Sequence, residues 1–180
     1  MRIIRGKNKG QVFQLPKGFK SRVTTDRAKE ALFNILHSYF DFESIKVLDL
    51  FSGTGNISFE FISRGVIDVI AVEKNYHNVV AIKKNAENLK MSLPVIKGDV
   101  FKIIKRFDGQ QFDIVFADPP FKADFIANFP DFFFSYDLLS NDGWFILEHD
   151  KHLTFKKHPK CFDVRHYGGV NFSFFSHKSS

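Results

Sequence analysis

The 180-residue sequence has a single cysteine, Cys161, and no apolar run near the roughly 18 residues that a membrane-spanning helix requires. One cysteine excludes an internal disulfide bond. Residues 1–7 also lack the apolar block of a secretory signal peptide. We therefore expect a cytoplasmic protein in a reducing compartment, without membrane contact.

Metal-ligand patterns are scarce as well. The seven histidines are scattered without ligand spacing, so no metal site is expected. His149, His152 and His158 are instead predicted to lie at the surface. The 24 phenylalanines mostly replace leucine or isoleucine in apolar patterns, which predicts that they belong to the core.

Positive charge is concentrated near the N-terminus. Residues 1–30 contain nine lysines and arginines against two acids, a sum of +7, whereas the whole chain has a net charge of +6. The other 150 residues therefore sum to −1. A basic arm on a near-neutral body is typical of contact with the phosphates of RNA or DNA, and a merely solvated tail is the alternative.

Two short β runs, 2–5 and 11–15, are joined by the basic segment 6–10 and predict a small N-terminal β-hairpin. We expect a basic arm, 1–22, followed by one globular unit, 23–180. Thr24-Thr25-Asp26 offers N-cap candidates for a helix that continues to about residue 40. In that helix Ala28, Leu32, Ile35, Leu36 and Tyr39 recur at helical spacing and predict one buried stripe.

Strands and helices then alternate along the chain, which is typical of an α/β fold with a parallel sheet covered by helices. The predicted strands are 45–50, 67–73, 93–97, 112–117 and 143–148. The predicted helices are 56–64, 76–89, 100–107 and 123–134. Segments 162–167 and 171–176, separated by Gly168-Gly169, predict a terminal hairpin.

Three acids, Asp49, Glu73 and Asp99, stand at three successive predicted strand ends. The carboxyl ends of parallel strands share one edge of a sheet, so these carboxylates are expected to line one crevice. The Glu73 carboxylate is suited to accept hydrogen bonds from a ribose diol, and the Asp99 carboxylate is suited to accept one from an adenine amino group. Asp49 either receives an amine or orients the adjoining glycine loop, and helix capping is the structural alternative for each acid.

The glycine loop follows the first of these strands. Gly53 and Gly55 allow a tight turn and a close approach of the backbone to a ligand. A dehydrogenase would have a third glycine where this chain has Ser58. A loop without that glycine, surrounded by carboxylates, favours a cationic cofactor over a pyrophosphate.

The segment Asp118-Pro119-Pro120-Phe121 follows another predicted strand. Its prolines lack N–H donors and fix a rigid turn of acceptors. The Asp118 carboxylate and the Pro119 carbonyl can both accept from one exocyclic amino group, while Phe121 stacks on the base that bears it. A structural Asp-Pro-Pro turn is the alternative interpretation.

A carboxylate at Asp118 also favours guanine. The pairing edge of guanine offers N1–H and N2–H donors side by side, whereas adenine has a lone pair at N1 that a carboxylate repels.

Asp-Leu-Phe-Ser-Gly-Thr-Gly at 49–55, Glu73, Asp99 and Asp-Pro-Pro-Phe at 118–121 resemble class I S-adenosylmethionine-dependent amino-methyltransferases. Arg-Ile-Ile-Arg-Gly at 2–6, Thr-Thr-Asp-Arg at 24–27 with Glu-Ala-Leu-Phe-Asn at 30–34, and Ser-Arg-Gly at 63–65 resemble the RsmD-type 16S rRNA guanine-N2 methyltransferases more closely. The resemblance covers residues 2–148 and is weaker beyond residue 150. Phe59, Phe61 and Asn56 depart from the usual pattern.

The resemblance implies a Rossmann-like fold with a mostly parallel seven-stranded sheet and a reversed C-terminal strand. It also implies S-adenosylmethionine as cofactor, S-adenosylhomocysteine as product, and 16S rRNA in an assembling small subunit as partner of a monomeric enzyme. The implied catalytic residues are Asp118, Pro119, Pro120 and Phe121. The implied cofactor-binding residues are Asp49, Phe51, Ser52, Gly53, Gly55, Glu73, Lys74, Asp99, Val100, Thr25 and Arg27. The implied RNA-binding residues are Arg2, Arg5, Lys7, Lys9 and Arg22.

Three alternatives remain open at this point. The same acceptor turn would serve a DNA or protein-amide methyltransferase. A non-catalytic RNA-binding assembly factor could keep the fold, and a nicotinamide oxidoreductase is disfavoured by Ser58 and the acids.

Overall fold

The computed structural model describes residues 1–16, 18–19, 23–121 and 123–177. The predicted RNA contact at Arg22 lies outside these residues.

The described elements follow the predicted alternation closely. The helices are α1 (Asp26–His37), α2 (Asn56–Ser63), α3 (Tyr76–Leu89), α4 (Val100–Ile103) and α5 (Phe129–Phe133), with 3-10 turns at Ile104–Phe107 and Ile126–Asn128. The strands are β1 (Lys46–Leu50), β2 (Asp68–Glu73), β3 (Val95–Lys97), β4 (Phe112–Ala117), β5 (Leu139–Asp150), β6 (Cys161–Tyr167) and β7 (Val170–Phe175). Within these described residues no helix is long and apolar enough to cross a membrane.

All seven described strands form one sheet in the order β3-β2-β1-β4-β5-β7-β6. The pairs among β1 to β5 are parallel, whereas β7 runs antiparallel to both β5 and β6. The expected α/β sheet with a reversed C-terminal strand is therefore confirmed. The strand order reverses its direction at β1, because β2 lies on one side of β1 and β4 lies on the other. Ligands of open α/β sheets bind at such switch points.

Side chains of the central strands alternate between two apolar layers, as the period of two in a strand requires. Val47, Ile114 and Ile146 pack with α1, α2 and α3 on one face. Leu48, Val115 and Leu147 pack with α4 and α5 on the other. The unusual Phe59 and Phe61 are fully buried on the first face. Phe59 makes an edge contact with Phe13, and Phe61 makes one with Phe33, so the larger rings fill that layer.

Helix α1 begins one residue after Thr25, whose side chain accepts from the backbone N–H of Ala28. The helix ends at His37, earlier than predicted. Tyr39 therefore lies beyond the helix and is exposed, and its assignment to the buried stripe was wrong. Its ring instead contacts Trp144 at a centroid distance of 4.7 Å.

The N-terminal segment pairs antiparallel as the predicted hairpin does, although it forms one bridge in place of two full strands. Arg2 and Val12 make one antiparallel bridge, and backbone bonds join Ile3 to Gln11 and Phe13 to Met1. Ile3 and Phe13 are buried in the first apolar layer. The basic arm is thus packed onto the body, although the predicted boundary at residues 22 and 23 stays a prediction.

The surface prediction for His149 was wrong. His149 is fully buried on β5, where Nδ1 lies 2.9 Å from the Asp150 carbonyl and Nε2 lies 2.8 Å from Ser173 Oγ. Because its backbone acceptor fixes the proton on Nδ1, Nε2 accepts from the serine hydroxyl. Burial lowers the pKa of this imidazole, which favours the neutral ring.

Candidate active site at the carboxyl edge of the sheet

A cavity of about 660 Å³ opens at the carboxyl ends of β1, β2 and β4. Its volume lies within the range of about 300–1,000 Å³ that is usual for small-molecule sites. The predicted site residues that line it are Asp49, Phe51, Ser52, Gly53, Glu73, Lys74, Asp99, Val100, Asp118, Pro119, Pro120 and Phe121. The structure therefore brings the strand-end acids and the acceptor turn together around one space.

The loop between β1 and α2 has the left-handed backbone that its glycines predict. Gly53 has φ +56° and Gly55 has φ +78°. Phe51, just before them, also has φ of 60°, which is uncommon for a residue with a side chain. Such strain is concentrated at ligand sites, and Phe51 lines the cavity.

Asp49 is buried beneath this loop. Ser58 Oγ donates to Asp49 Oδ2 over 2.5 Å, so the serine in place of a third glycine anchors this carboxyl to α2. Burial raises the pKa of Asp49 to about 7, while bonds from Ser58 and Ser52 oppose that rise and the charge of Glu73 adds to it. The carboxyl is therefore near its titration midpoint at neutral pH.

Glu73, at the end of β2, makes a hydrogen bond with the glycine loop that follows β1. Its Oε2 accepts from the Gly53 N–H over 2.8 Å, and its Oε1 accepts from the Asn75 N–H over 2.6 Å. Each carboxylate oxygen has a second lone pair, so the group can also accept from a ligand hydroxyl.

Asp99 is the N-cap of α4, as its Oδ1 accepts from the Phe101 N–H. Its Oδ2 accepts from Lys74 Nζ over 2.8 Å, and this bond lowers the pKa of Asp99. The capping interpretation of Asp99 is thus correct, and its position in the cavity wall is correct too.

The acceptor turn begins where β4 ends at Ala117. Ala117 pairs with Leu147 of β5, so Asp118 follows the end of β4 next to Glu148, which lies within β5. Glu148 is buried, and its Oε2 accepts from the Thr24 hydroxyl over 2.6 Å. Thr24 lines the cavity, and this bond ties the segment before α1 to the edge that holds Asp118.

Three predicted cofactor contacts do not line the cavity: Gly55, Thr25 and Arg27. Gly55 is buried at the start of α2, and its backbone conformation shapes the loop from behind. The Thr25 hydroxyl is committed to capping α1, and the Arg27 side chain is exposed on that helix. In the segment before and at the start of α1, Thr24 lines the cavity, whereas Thr25 and Arg27 do not.

Sequence patterns also missed several lining residues. Phe101 and Phe125 belong to the cavity wall although their apolar spacing predicted core positions. Phe125 stacks on Phe51 with a centroid distance of 5.9 Å and contacts Phe101 edge-on at 4.9 Å. Asn56 is a further lining residue, and its departure from the family pattern was the signal that could have identified it.

The basic arm is less available for phosphates than its charge suggests. Arg2 pairs with Asp26 at 2.7 Å and Arg5 pairs with Glu30 at 3.1 Å. Lys29 is fully buried against Glu60. Lys7 and Lys9 are exposed, so these two remain the most accessible of the predicted phosphate contacts within the described residues.

Comparison with known proteins gives consistent matches over most of the chain. The family described as conserved hypothetical protein 95 matches residues 1–176, which includes the C-terminal tail. The Bacillus subtilis (strain 168) protein named "Putative rRNA methyltransferase YlbH" is 32% identical over 157 residues, 84% of this chain and 83% of that protein. Ribosomal RNA small subunit methyltransferase D of Haemophilus influenzae is 36% identical over 125 residues, 67% of this chain and 64% of that protein.

Solved structures agree on the architecture. A hypothetical protein from Thermus thermophilus has a TM-score of 0.88 and 25% identity, with 98% of this chain and 99% of that chain covered. The T. thermophilus 16S rRNA N2 G1207 methyltransferase (RsmC), solved with AdoMet and guanosine, has a TM-score of 0.68 and 21% identity. That likeness covers 86% of this chain and 44% of the other, and it establishes the Rossmann-like methyltransferase fold.

Proposed function

The chain belongs to the RsmD-type methyltransferase family, described as conserved hypothetical protein 95, and we propose that it methylates the N2 amino group of a guanine in 16S rRNA with S-adenosylmethionine as methyl donor. The observation that supports this most directly is the shared cavity. The acids of β1 and β2 and the turn at 118–121 face one space, as a donor site beside an acceptor site requires.

The lining fits the chemistry of this cofactor. S-adenosylmethionine supplies an electrophilic methyl group on a sulfonium and has a ribose diol, an adenine and a zwitterionic amino-acid part. Glu73 offers acceptors for ribose hydroxyls and Asp99 offers them for the adenine amino group. Asp49 offers a buried carboxyl to the ammonium group, and the aromatic wall of Phe51, Phe101 and Phe125 offers apolar surface.

In this proposal the acceptor turn at 118–121 binds and orients the target amino group. The Asp118 carboxylate and the Pro119 carbonyl accept hydrogen bonds from the target amino group and orient its nitrogen toward the donor methyl. Phe121, which lines the same cavity, supplies a face on which an extruded base can stack. No general base is needed, because the nitrogen readily loses its proton after it has been alkylated.

Guanine is the base that suits a carboxylate at Asp118. Its N1–H and N2–H groups are adjacent donors, and charge-assisted bonds of this type contribute about 1.5–3 kcal/mol net. Adenine would place the N1 lone pair against the carboxylate. Equal methylation of adenine and guanine in matched RNAs would contradict this specificity.

The decisive experiment measures transfer of labelled methyl groups into small ribosomal subunits, both stripped and partly assembled, followed by identification of the modified nucleoside. We expect N2-methylguanosine in 16S rRNA. Label in DNA, in protein or in another nucleoside would contradict the proposal. Native mass spectrometry of the same protein tests the expected monomer.

A substitution separates catalysis from cofactor binding. Asp118→Ala should reduce methyl transfer by about 100-fold or more, since oriented donors and acceptors at reacting groups are commonly worth that much, while calorimetry shows unchanged binding of S-adenosylhomocysteine. Asp124→Ala is the matched control, because Asp124 is an exposed acid six residues further along that does not line the cavity. Equal loss of transfer and binding in Asp118→Ala would contradict the assigned role.

A further inference from the structure

Asn56 has a buried hydrogen-bond donor that the fold leaves unused. The residue is 5% exposed and lines the cavity at the first position of α2. Its Nδ2 is one of two buried side-chain atoms without a partner among the described residues. The other, Arg64 Nη2, belongs to a guanidinium that lies over the Phe33 ring at 4.6 Å.

The orientation of the Asn56 amide is fixed by Lys29. Lys29 Nζ lies 2.7 Å from Asn56 Oδ1, 2.8 Å from the Arg2 carbonyl and 3.2 Å from Glu60 Oε2. These three acceptors match the three donors of an ammonium group, which has no acceptor of its own. A flipped amide would place two donors against each other, so Nδ2 must point away from Lys29.

The buried side-chain hydroxyls of the cavity lining at Ser52, Thr54 and Thr24 are already engaged. The Ser52 hydroxyl donates to the backbone of β1 and β2, the Thr54 hydroxyl to Met1 Sδ, and the Thr24 hydroxyl to Glu148. Lys74, a cation in this lining, already donates to Asp99, and the other charged side chains assigned to the cofactor in this wall are the carboxyl groups of Asp49, Glu73 and Asp99. An unpaired buried donor costs free energy until an acceptor reaches it, so the Asn56 amide calls for a bound acceptor.

The cofactor proposed above has a single anionic group, the carboxylate of its amino-acid part. That group needs a donor in a wall dominated by acids. Asn56 supplies one at the N-terminal end of α2, where the helix dipole also favours negative charge. The neighbouring Asp49 would accept from the ammonium group of the same amino-acid part, so the two side chains match the two ends of a zwitterion.

We infer that the Asn56 amide, held by Lys29, is the specificity-determining donor for the carboxylate of the cofactor. This assignment rests on the proposed use of S-adenosylmethionine. It also gives Lys29 a positioning role, because the lysine touches Asn56 and the backbone of the arm and not the cavity.

The test compares two ligands that differ by one group: S-adenosylhomocysteine and S-adenosyl-3-thiopropylamine, which is the same molecule without its carboxylate. Isothermal titration calorimetry is performed with the whole chain, as wild type and as Asn56→Ala and Asn56→Asp. We expect Asn56→Ala to weaken S-adenosylhomocysteine roughly 10- to 100-fold, the loss of one charge-assisted bond, and to leave the decarboxylated ligand unchanged.

Asn56→Asp keeps an oxygen for Lys29 and so protects the fold, but it turns a negative charge toward the ligand. It should therefore weaken S-adenosylhomocysteine further than alanine does, again without loss for the decarboxylated ligand. Asn78→Ala is the matched control in the same cavity wall and should leave the ratio of the two affinities unchanged.

Equal weakening of both ligands in the Asn56 variants, or no weakening of either, would overturn the assignment while the proposed function stands. A wild-type protein that binds neither ligand would overturn the proposed function and this assignment together. Thermal unfolding of each apo variant shows whether an equal loss reflects a damaged fold.

Discussion

Asp49 is held between burial, which favours its neutral form, and hydrogen bonds from Ser58 and Ser52, which favour its charged form. The result is a pKa of about 7 at a residue that lines the cavity. A bound ammonium group would stabilise the carboxylate and release the proton. Under the proposed function, cofactor binding and the charge of Asp49 are therefore linked.

We predict that the affinity for S-adenosylhomocysteine rises as pH increases from about 6 to about 8, because the ligand binds the deprotonated form of Asp49 better. Calorimetry in buffers of different ionisation enthalpy should detect proton release near pH 7. In the Asp49→Asn variant the affinity should be lower and nearly independent of pH. A wild-type affinity that is flat across this range would contradict the predicted coupling.

The same group affects stability with a defined sign. Its pKa in the folded protein lies above the unfolded value of 3.8, so its favourable contribution is complete below about pH 4 and is lost as pH rises through about 7. The free energy of unfolding of Asp49→Asn relative to wild type should consequently improve as pH rises from about 4 to about 7, as urea unfolding at each pH would measure.

At the scale of elements, the turn from β1 to α2 assigns different tasks to its two glycines. A Cβ added at Gly53 would meet Phe51 O at 3.8 Å and Phe19 at 3.9 Å, which is ordinary contact, and the position faces the cavity. A Cβ added at Gly55 would lie 3.0 Å from Phe59 Cε2 and 3.3 Å from Ile82 Cγ1. The first position leaves room for a ligand, and the second is closed by core packing.

We predict that Gly53→Ala lowers the affinity for S-adenosylhomocysteine, while its stability cost stays near the roughly 1–2 kcal/mol of a left-handed alanine. Gly55→Ala should cost more stability than Gly53→Ala because it adds a clash with Phe59 to the same backbone strain. Urea unfolding and calorimetry on both variants make the comparison. A larger loss of stability for Gly53→Ala than for Gly55→Ala would contradict the assignment of Gly53 to ligand access and Gly55 to core packing.

The order of elements could be predicted from sequence because each strand has an apolar run and each turn has a glycine, proline or acid at its end. Strand β4 was located at its observed bounds for this reason, and Asp49, Glu73 and Asp99 were assigned to one crevice from topology alone. Tyr39 was misplaced because periodicity does not reveal where a helix ends. Thr24 and Phe125 could not be found, since their roles depend on a partner 124 residues away and on ring contacts across the cavity, whereas Asn56 was marked only by its departure from the family pattern.

At the scale of the whole molecule, the basic arm is joined to the body by buried polar contacts. Glu60 of α2 accepts from the backbone N–H groups of Ile4 and Arg5 and from Arg64, and Ser63 Oγ donates to the Arg5 carbonyl. Lys29 links Glu60 to Asn56 at the cavity. The arm therefore presents its exposed lysines from a fixed platform, which this network connects to the cavity.

Because Arg2 and Arg5 are paired with acids, we predict that they contribute less to RNA binding than Lys7 and Lys9 do. Lys7→Gln with Lys9→Gln should reduce the log–log salt slope of RNA binding by up to about 1.4–1.8, two phosphate contacts at about 0.7–0.9 each. Arg2→Gln with Arg5→Gln should reduce it less, because Asp26 and Glu30 already neutralise these guanidinium groups. Fluorescence anisotropy with a 16S rRNA fragment at several salt concentrations measures the slopes.

The matched control for this comparison is Lys105→Gln with Arg106→Gln, which removes the same charge from exposed residues. These two lie between Ile104 and Phe107, which pack on the face of the sheet opposite the one that holds Ile3 and Phe13 of the arm. Their removal should leave the slope unchanged if RNA approaches along the arm. An equal change in all three double variants would instead mean that net charge, and not the docked arm, determines RNA affinity, since diffuse attraction does not depend on where a charge lies.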